Sequence, residues 1–301
     1  QENYHDQIQA VYATMQLGWR GMLYVDVSVR NDWASMLAFT PKQNIFYPSV
    51  GLSAVISSMT DLSKAGISFL KVRGSYAEVG NAPERYITGP NYTLTNGVVS
   101  TATIAPAKHL EAERTKSFEV GLTMRFLKHF NLDFTYYNSH TSNQTFDPQI
   151  SGGTGFSKII IQSGNVRNQG IELALGYRNT WRDFTWDTNY TLSTNQNKII
   201  SLANNVINYA TGERFSIDRL NMGGLGDAQF LLQEGGTLGD LYSRRDLRYD
   251  ENNAIYIDEN GNVATETIQD VNKYVKLGSV LPDVNTVSYT HLRAHETSLH
   301  L

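Results

Sequence analysis

The sequence has no cysteine among its 301 residues. Disulfides, thiolate nucleophiles and zinc–cysteine sites are thereby excluded, although an oxidising compartment is not. Proline is scarce at 7 and glycine numbers 24, set against 17 tyrosines and 12 phenylalanines. That balance favours aromatic-rich strands separated by turns over helices. Charge is sparse too, with charged residues at 18% and a net charge of -4. No polybasic run occurs, so nucleic acid is not an expected partner. Missing as well is any apolar run near the ~20 residues of a membrane helix, and residue 1 does not begin a signal peptide. A helical membrane protein is excluded; a β-barrel is not, because only every second residue of its strands faces lipid. There is no G-x-S-x-G and no H-E-x-x-H, and "SGGTGF" (151–156) lacks the Lys-Ser/Thr that would follow in a phosphate cradle. The expectation is a protein that is not an enzyme, with no catalytic residue and no cofactor.

What the sequence does contain is alternation. "MLYVDVSVR" (22–30) sets Leu23, Val25, Val27 and Val29 against Tyr24, Asp26, Ser28 and Arg30, the period of a strand with one dry and one wet face. The pattern returns in "SFEVGLTMRF" (117–126), "FNLDFTYYN" (130–138), "QGIELALGYR" (169–178) and "DFTWDTNYTLS" (183–193). It is weaker in "QIQAVYATMQL" (7–17), "IFYPSVGLSAVI" (45–56) and "FLKVRGSY" (69–76). Pro48, which cannot donate to a ladder, is expected at a strand start or a bulge. Tight links at 18–21, 127–129 and 179–181 alternate with long ones at 77–116 and 139–168, and the links 31–44 and 57–68 keep the same parity. Short turns on one side and long loops on the other are the sidedness of an outer-membrane barrel. Aromatic residues mark strand ends as well as middles, at Tyr24, Phe126, Phe130, Tyr136, Tyr177, Phe184 and Trp186, and read as interfacial girdles. A soluble antiparallel sandwich also alternates, but its strands usually run about 5–6 residues, shorter than these. The fold class read from pattern is therefore all-β, an antiparallel transmembrane β-barrel.

Several stretches then resemble, in order, the barrel of the SusC/RagA family of TonB-linked outer-membrane transporters of Bacteroidetes. They are "LYVDVSVRNDWAS", "FYPSVGLSAV", "FLKVRGSYAEVGNAP", "ERTKSFEVGLTMRF", "LDFTYYNSHTSNQ", "SGNVRNQGIELAL" and "FTWDTNYTLSTNQNKIISL", followed by "LLQEGGTLGDLYSRRDLRYDENNAIYIDENGNV" and "YVKLGSVLPD". The resemblance implies an outer-membrane location and TonB-dependent import of glycans or other large nutrients. Its implied partners are a SusD-like lipoprotein, TonB acting through a plug and TonB box, outer-membrane lipid, and an oligosaccharide or peptide substrate. Against that family the chain reads as a barrel fragment with the plug absent, residues 1–286 being partial barrel and 287–301 an expected non-native read-through tail. Two other readings stay open: a soluble or surface β-rich carbohydrate-binding protein, and a TonB-dependent siderophore or cobalamin receptor.

In the barrel reading Asp26, Arg30, Glu119, Arg125, Asp133, Glu172, Arg178 and Asp187 face the lumen, where pairing with one another outweighs direct substrate contact. The long loops carry Tyr86, Tyr92, Phe146 and Phe156 as rings that could stack on sugar faces. "YDENNAIYIDENGNV" (249–263) invites a calcium reading, but the EF-hand spacing does not fit and "DENGN" is expected to be a turn. His291, His295 and His300 crowd the C-terminal tail with Glu296. His291 and His295 could share a helix face, but His295-Glu296 followed by His300 is one residue too long for H-E-x-x-H, and no strand period is read beyond Tyr289, so no metal site is expected.

Overall fold

The computed structural model describes residues 5–294 apart from 86, 89–92, 101–103, 106, 108, 148–155, 208–211, 271–272 and 282–283. Eight long strands follow one another up and down: β1 (Ile8–Trp19), β2 (Leu23–Ala34), β3 (Asn44–Val55), β4 (Ile67–Asn81), β5 (Glu113–Phe126), β6 (Phe130–Phe146), β7 (Ile161–Trp181) and β8 (Phe184–Ser201). Each pairs antiparallel with its predecessor. After β8 the chain builds a smaller sheet from β9 (Arg219–Leu225), β10 (Ala228–Gln233), β11 (Asp240–Ser243) and β12 (Val275–Ser279). It then returns as β13 (Val284–Ala294) to pair with β8, giving a nine-stranded sheet in the order β1 to β8 and then β13. The sheet is open, with β1 and β13 at its edges.

The links at one rim are 20–22, 56–66, 127–129 and 182–183; those at the other are 35–43, 82–112, 147–160 and 202–283. The expected sidedness holds. At the first turn Arg20 and Gly21 both take positive φ, 51° and 68°, and Met22 N–H bonds to the Trp19 carbonyl at 2.9 Å, as a type I′ hairpin requires.

All eight strands read from pattern are present, but the long loops are shorter than the pattern suggests. β4 runs on to Asn81, β5 begins at Glu113, and β6 and β7 extend to Phe146 and back to Ile161. In these extensions both faces carry polar side chains, so the alternation fades while the backbone ladder continues. Hydroxyl pairs mark the passage, Thr115 with Thr141 at 2.9 Å and Ser117 with Ser139 at 3.3 Å. Three further expectations need correction. Pro48 lies inside β3, opposite Val29; the β3–β4 pairing starts only at Ser49, so the missing N–H falls where no partner strand runs. Tyr24 lies on the wet face with Asp26, and Tyr136 sits mid-strand between Val120 and Ile171, so neither belongs to a girdle. β13 continues past Tyr289 to Ala294, held by its register against Phe184–Thr194.

The register aligns apolar residues into rows across the strands. Val72, Leu122, Phe134, Leu173 and Leu192 form one, and Val25, Leu52, Gly74, Val120, Tyr136 and Ile171 another. This face is uncovered: Leu52 is 58% exposed, Phe118 49%, Val120 42% and Tyr190 39%. A sandwich would lay a second sheet over it. Among the described residues none does, and an apolar surface of this extent marks contact with a partner or a membrane. At the short-turn rim of the same face, Phe126 and Phe130 stack at 5.2 Å, Phe130 meets Tyr177 at 4.9 Å, and Trp181 stacks on Phe184 at 6.2 Å. That is the aromatic girdle of a membrane barrel.

Candidate functional site

The opposite face of the sheet is polar. Gln16, Asp26, Gly51, Ser75, Glu119, Tyr137 and Gly170 stand in one directly opposed row from β1 to β7. By the period of two, all eight proposed lumen residues share this face.

Their partners are mostly each other's neighbours. Asp26 accepts a hydrogen bond from Gln16 at 2.6 Å. Arg30 and Asp32 form a two-pronged ion pair at 2.7 and 3.0 Å, and the Tyr47 hydroxyl donates to the same carboxylate at 2.7 Å. Arg125 lies over the Phe69 ring at 5.5 Å. Arg178 stands opposite Asp187 in the β7–β8 register. Glu172 borders a shallow depression with Asp133, Thr135, Thr191 and Ser193.

The centre of the wall is Arg73, which the pattern did not single out. Its guanidinium reaches Asp133 at 3.1 Å, Thr135 at 2.6 Å and Thr123 at 3.1 Å, with Glu119 at 3.7 Å. Arg73 is on β4 while Asp133 and Thr135 are on β6, so the side chain must cross β5. It does so at Gly121, where an added Cβ would meet the guanidinium carbon at 2.5 Å. Tyr137 repeats the device one step along: from β6 its hydroxyl passes over Gly170 of β7 and donates to Asn195 of β8 at 3.0 Å. Two strand glycines are thus gaps through which polar side chains tie strands that are not adjacent. The signal was available, since Gly121 and Gly170 sit on the wet face of their strands where any side chain would be tolerated by solvent alone.

The loop rings fare differently. Tyr86 and Tyr92 lie outside the described residues. Phe146 is not in a loop: Asn143, at φ 61°, breaks the β6 register and turns Phe146 inward, where it is buried with Val166, Ile199, Leu202 and Leu232. Phe156 packs against the same cluster. Neither ring is available as an open platform. The cluster fastens β10 of the loop sheet to the upper ends of β6, β7 and β8.

Within the loop sheet, the fully buried Asp240 carboxylate accepts Lys276 at 2.7 Å, the Thr237 hydroxyl at 2.6 Å and the Thr237 N–H at 3.1 Å. Burial alone would raise its pKa, but these donors together hold it below the usual carboxylate value. A lowered folded pKa contributes stability that is present above the unfolded value near 3.9 and lost as pH falls through the folded one. Corrected for the intrinsic pH dependence of exchange, amide protection in β11 and β12 should therefore be constant at neutral pH and fall only in strong acid. Asp240→Asn should abolish that acid step and cost about 1.5 kcal/mol of local protection.

"YDENNA" and "IDENGN" fold alike. Asp250 Oδ1 accepts the N–H groups of Asn252 and Ala254 at 2.9 and 2.8 Å, and Asp258 Oδ1 accepts those of Asn260 and Asn262 at 2.9 and 2.8 Å. Asn253 and Gly261 take φ 62° and 83°. Both are turns, and each aspartate is occupied with its own backbone. In the tail, His291 is in register with Asp187, while His295 and His300 lie outside the described residues.

Residues 1–293 match the family model described as TonB dependent receptor-like, beta-barrel. TonB-dependent receptor P39 of Formosa agariphila is 26% identical over 82% of this chain and 23% of its own length. TonB-dependent receptor P26 of the same organism is 28% identical over 95% of the chain and 31% of its own. The chain thus spans under a third of the length of these curated relatives. Among solved structures, the RagAB peptide transporter aligns with a TM-score of 0.75 at 18% identity, over 96% of this chain and 32% of that one. The outer membrane transporter YddB from Escherichia coli aligns with a TM-score of 0.53 at 13% identity, over 95% and 38%. At these identities the structural likeness concerns the fold.

Proposed function

This chain belongs to the TonB-dependent receptor-like β-barrel family, and on that premise we propose that it forms wall, lumen lining and outer loops of an importer for large nutrients. The supporting observation is the two-faced sheet: an uncovered apolar face edged by aromatics at its short-turn rim, a cross-linked polar face behind it, and short turns gathered at that rim. In an outer membrane the apolar face meets lipid, the polar face meets the lumen, and the long links project outward.

The function is non-catalytic. Substrate binds between the loops and a plug, TonB pulls on the plug, and its rearrangement opens a path along the polar wall. Glycans and peptides are the proposed cargo, with a SusD-like lipoprotein over the outer mouth. The SusC-like stretches of the sequence support both, and the fold likeness to a peptide transporter keeps peptides beside glycans. The experiment is uptake of labelled oligosaccharides and oligopeptides by cells with and without the gene, alongside membrane fractionation. Recovery in the outer membrane with a heat-modifiable gel shift, and uptake of one cargo class lost with the gene, is expected. Recovery in the aqueous fraction would sink the importer and favour a soluble binding protein.

A further inference from the structure

We propose that the outer edge of β9 takes up an extended peptide as an added strand, in a cleft at the mouth of the lumen, so that cargo is held by its main chain. The proposal rests on the importer reading above and selects peptides over glycans.

The loop sheet stands on the lumen side of the wall. Val166 and Ile199, which pack with Leu232 and Leu220 of that sheet, are directly opposed across β7 and β8. By the period of two they fall on the face of Glu172 and Ser193, the polar one. Asn197 stands there too, donating to Asn168 at 2.7 Å and accepting the Leu238 N–H at 2.9 Å. The sheet held by these contacts overhangs the entrance to the polar wall, and cargo moving along that wall passes it.

β9 is an edge of the loop sheet, paired with β10 alone among the described residues. A cleft of about 670 Å³ adjoins it, with Asp147 and Lys158, paired with each other at 2.5 Å, also among its lining. That is the volume of a ligand site. Each of residues 219–223 lines it. Successive side chains of a strand point to opposite faces, so a cavity over either face would meet only every second residue; this one lies along the hydrogen-bonding edge. The ladder shows which groups it meets. Glu234 N–H bonds to the Asp218 carbonyl at 3.3 Å, one step from the opposed pair Arg219 and Gln233. Bonding alternates along an antiparallel pair, so Asn221 turns its N–H and C=O away from β10 and into the cleft.

Such an edge selects its ligand. Main-chain donors and acceptors in a row match an extended peptide, which can join the sheet as a further strand. A sugar ring seeks an aromatic face, and no aromatic residue is among those described as lining the cleft. Arg219 on one side and the Asp147–Lys158 pair present charges of both signs, so neither acidic nor basic side chains are turned away. At ~3.3 Å per residue the straight part of the edge pairs with roughly four residues of the guest. It ends where the β9–β10 register shifts after Asn221 and Gly223 takes φ 88°. The ligand is therefore a short peptide bound with little regard to sequence.

The test measures binding to the receptor expressed in an outer membrane and extracted in detergent. The probes are a fluorescent hexapeptide of alanine, serine and leucine, the same peptide N-methylated at every amide, and maltohexaose. The wild type should bind the plain peptide, and the methylated copy at least tenfold more weakly, because methylation removes the donors of an added strand. Asn221→Pro, which deletes the outward N–H and leaves the ladder its bonds, should bind the plain peptide about tenfold more weakly. The control Glu251→Pro, at the second position of an exposed turn where proline fits, should bind as the wild type does. Equal binding of plain and methylated peptide, undiminished binding by Asn221→Pro, or displacement of the peptide by an equal concentration of maltohexaose overturns the proposal. A heat-modifiable protein that imports oligosaccharides and binds no peptide would defeat this proposal alone, whereas failure to reach the outer membrane would defeat the importer reading as well.

Discussion

Leu173→Arg should keep the protein out of the outer membrane, whereas Ala174→Arg, one residue on, should leave it there. Leu173 stands in the middle row of the apolar face, between Phe134 and Leu192. An arginine at the mid-depth of a barrel's lipid face costs about 2–4 kcal/mol, a large part of the stability of any domain. Ala174 faces the other way, directly opposite Asp133 and adjacent along the face to Glu172. An arginine there meets two carboxylates and water, and its effect should stay within about 0.5 kcal/mol. The yield of heat-modifiable protein in outer-membrane fractions measures both.

Gly170→Ala should be comparably damaging for a steric reason. A Cβ at this position overlaps the Thr194 carbonyl oxygen of β8 and approaches the Tyr137 hydroxyl to 2.7 Å. The hydroxyl could swing aside, but the carbonyl belongs to the neighbouring strand, so β7 and β8 would have to separate. Overpacking of this kind costs about 1–3 kcal/mol, and the backbone obstacle places Gly170→Ala at the upper end. Gly121→Ala is the informative contrast. There the three atoms nearest the Cβ all belong to the Arg73 side chain, which can withdraw at the cost of its bonds to Asp133 and Thr135. Denaturant titrations of both variants in lipid should rank Gly170→Ala as the less stable.

The parts of this architecture that could be read from sequence are those immersed in two solvents at once. Between roughly residues 118 and 126 of β5, lipid and water impose opposite demands on successive residues, and the alternation is clean. Above that level both faces meet water. Lys116, His140 and Arg167 then look like loop residues, although they continue the ladder, so the strands were read too short and Phe146 was assigned to a loop. That Asp26, Arg30, Glu119, Arg125, Asp133, Glu172, Arg178 and Asp187 share one polar face was legible because charge on the wet face is itself the signal. Arg73 was not, because its importance lies in reaching past a strand, and that depends on which glycine the register sets beneath it. The burial of Phe146 follows from the break at Asn143, a backbone event with no mark in hydrophobic period.

The central claim is that one face of this sheet meets lipid and the other water, and the absence of cysteine from these 301 residues makes it directly measurable. Single cysteines placed from Ile171 to Arg178, in protein inserted in its membrane, would be challenged with a charged, water-borne thiol reagent. Positions 172, 174, 176 and 178 should react and 171, 173, 175 and 177 should be protected, with the protected set labelled by a lipid-dissolved probe. Uniform reaction along the strand, or protection of the set that includes Glu172 and Arg178, would contradict the account.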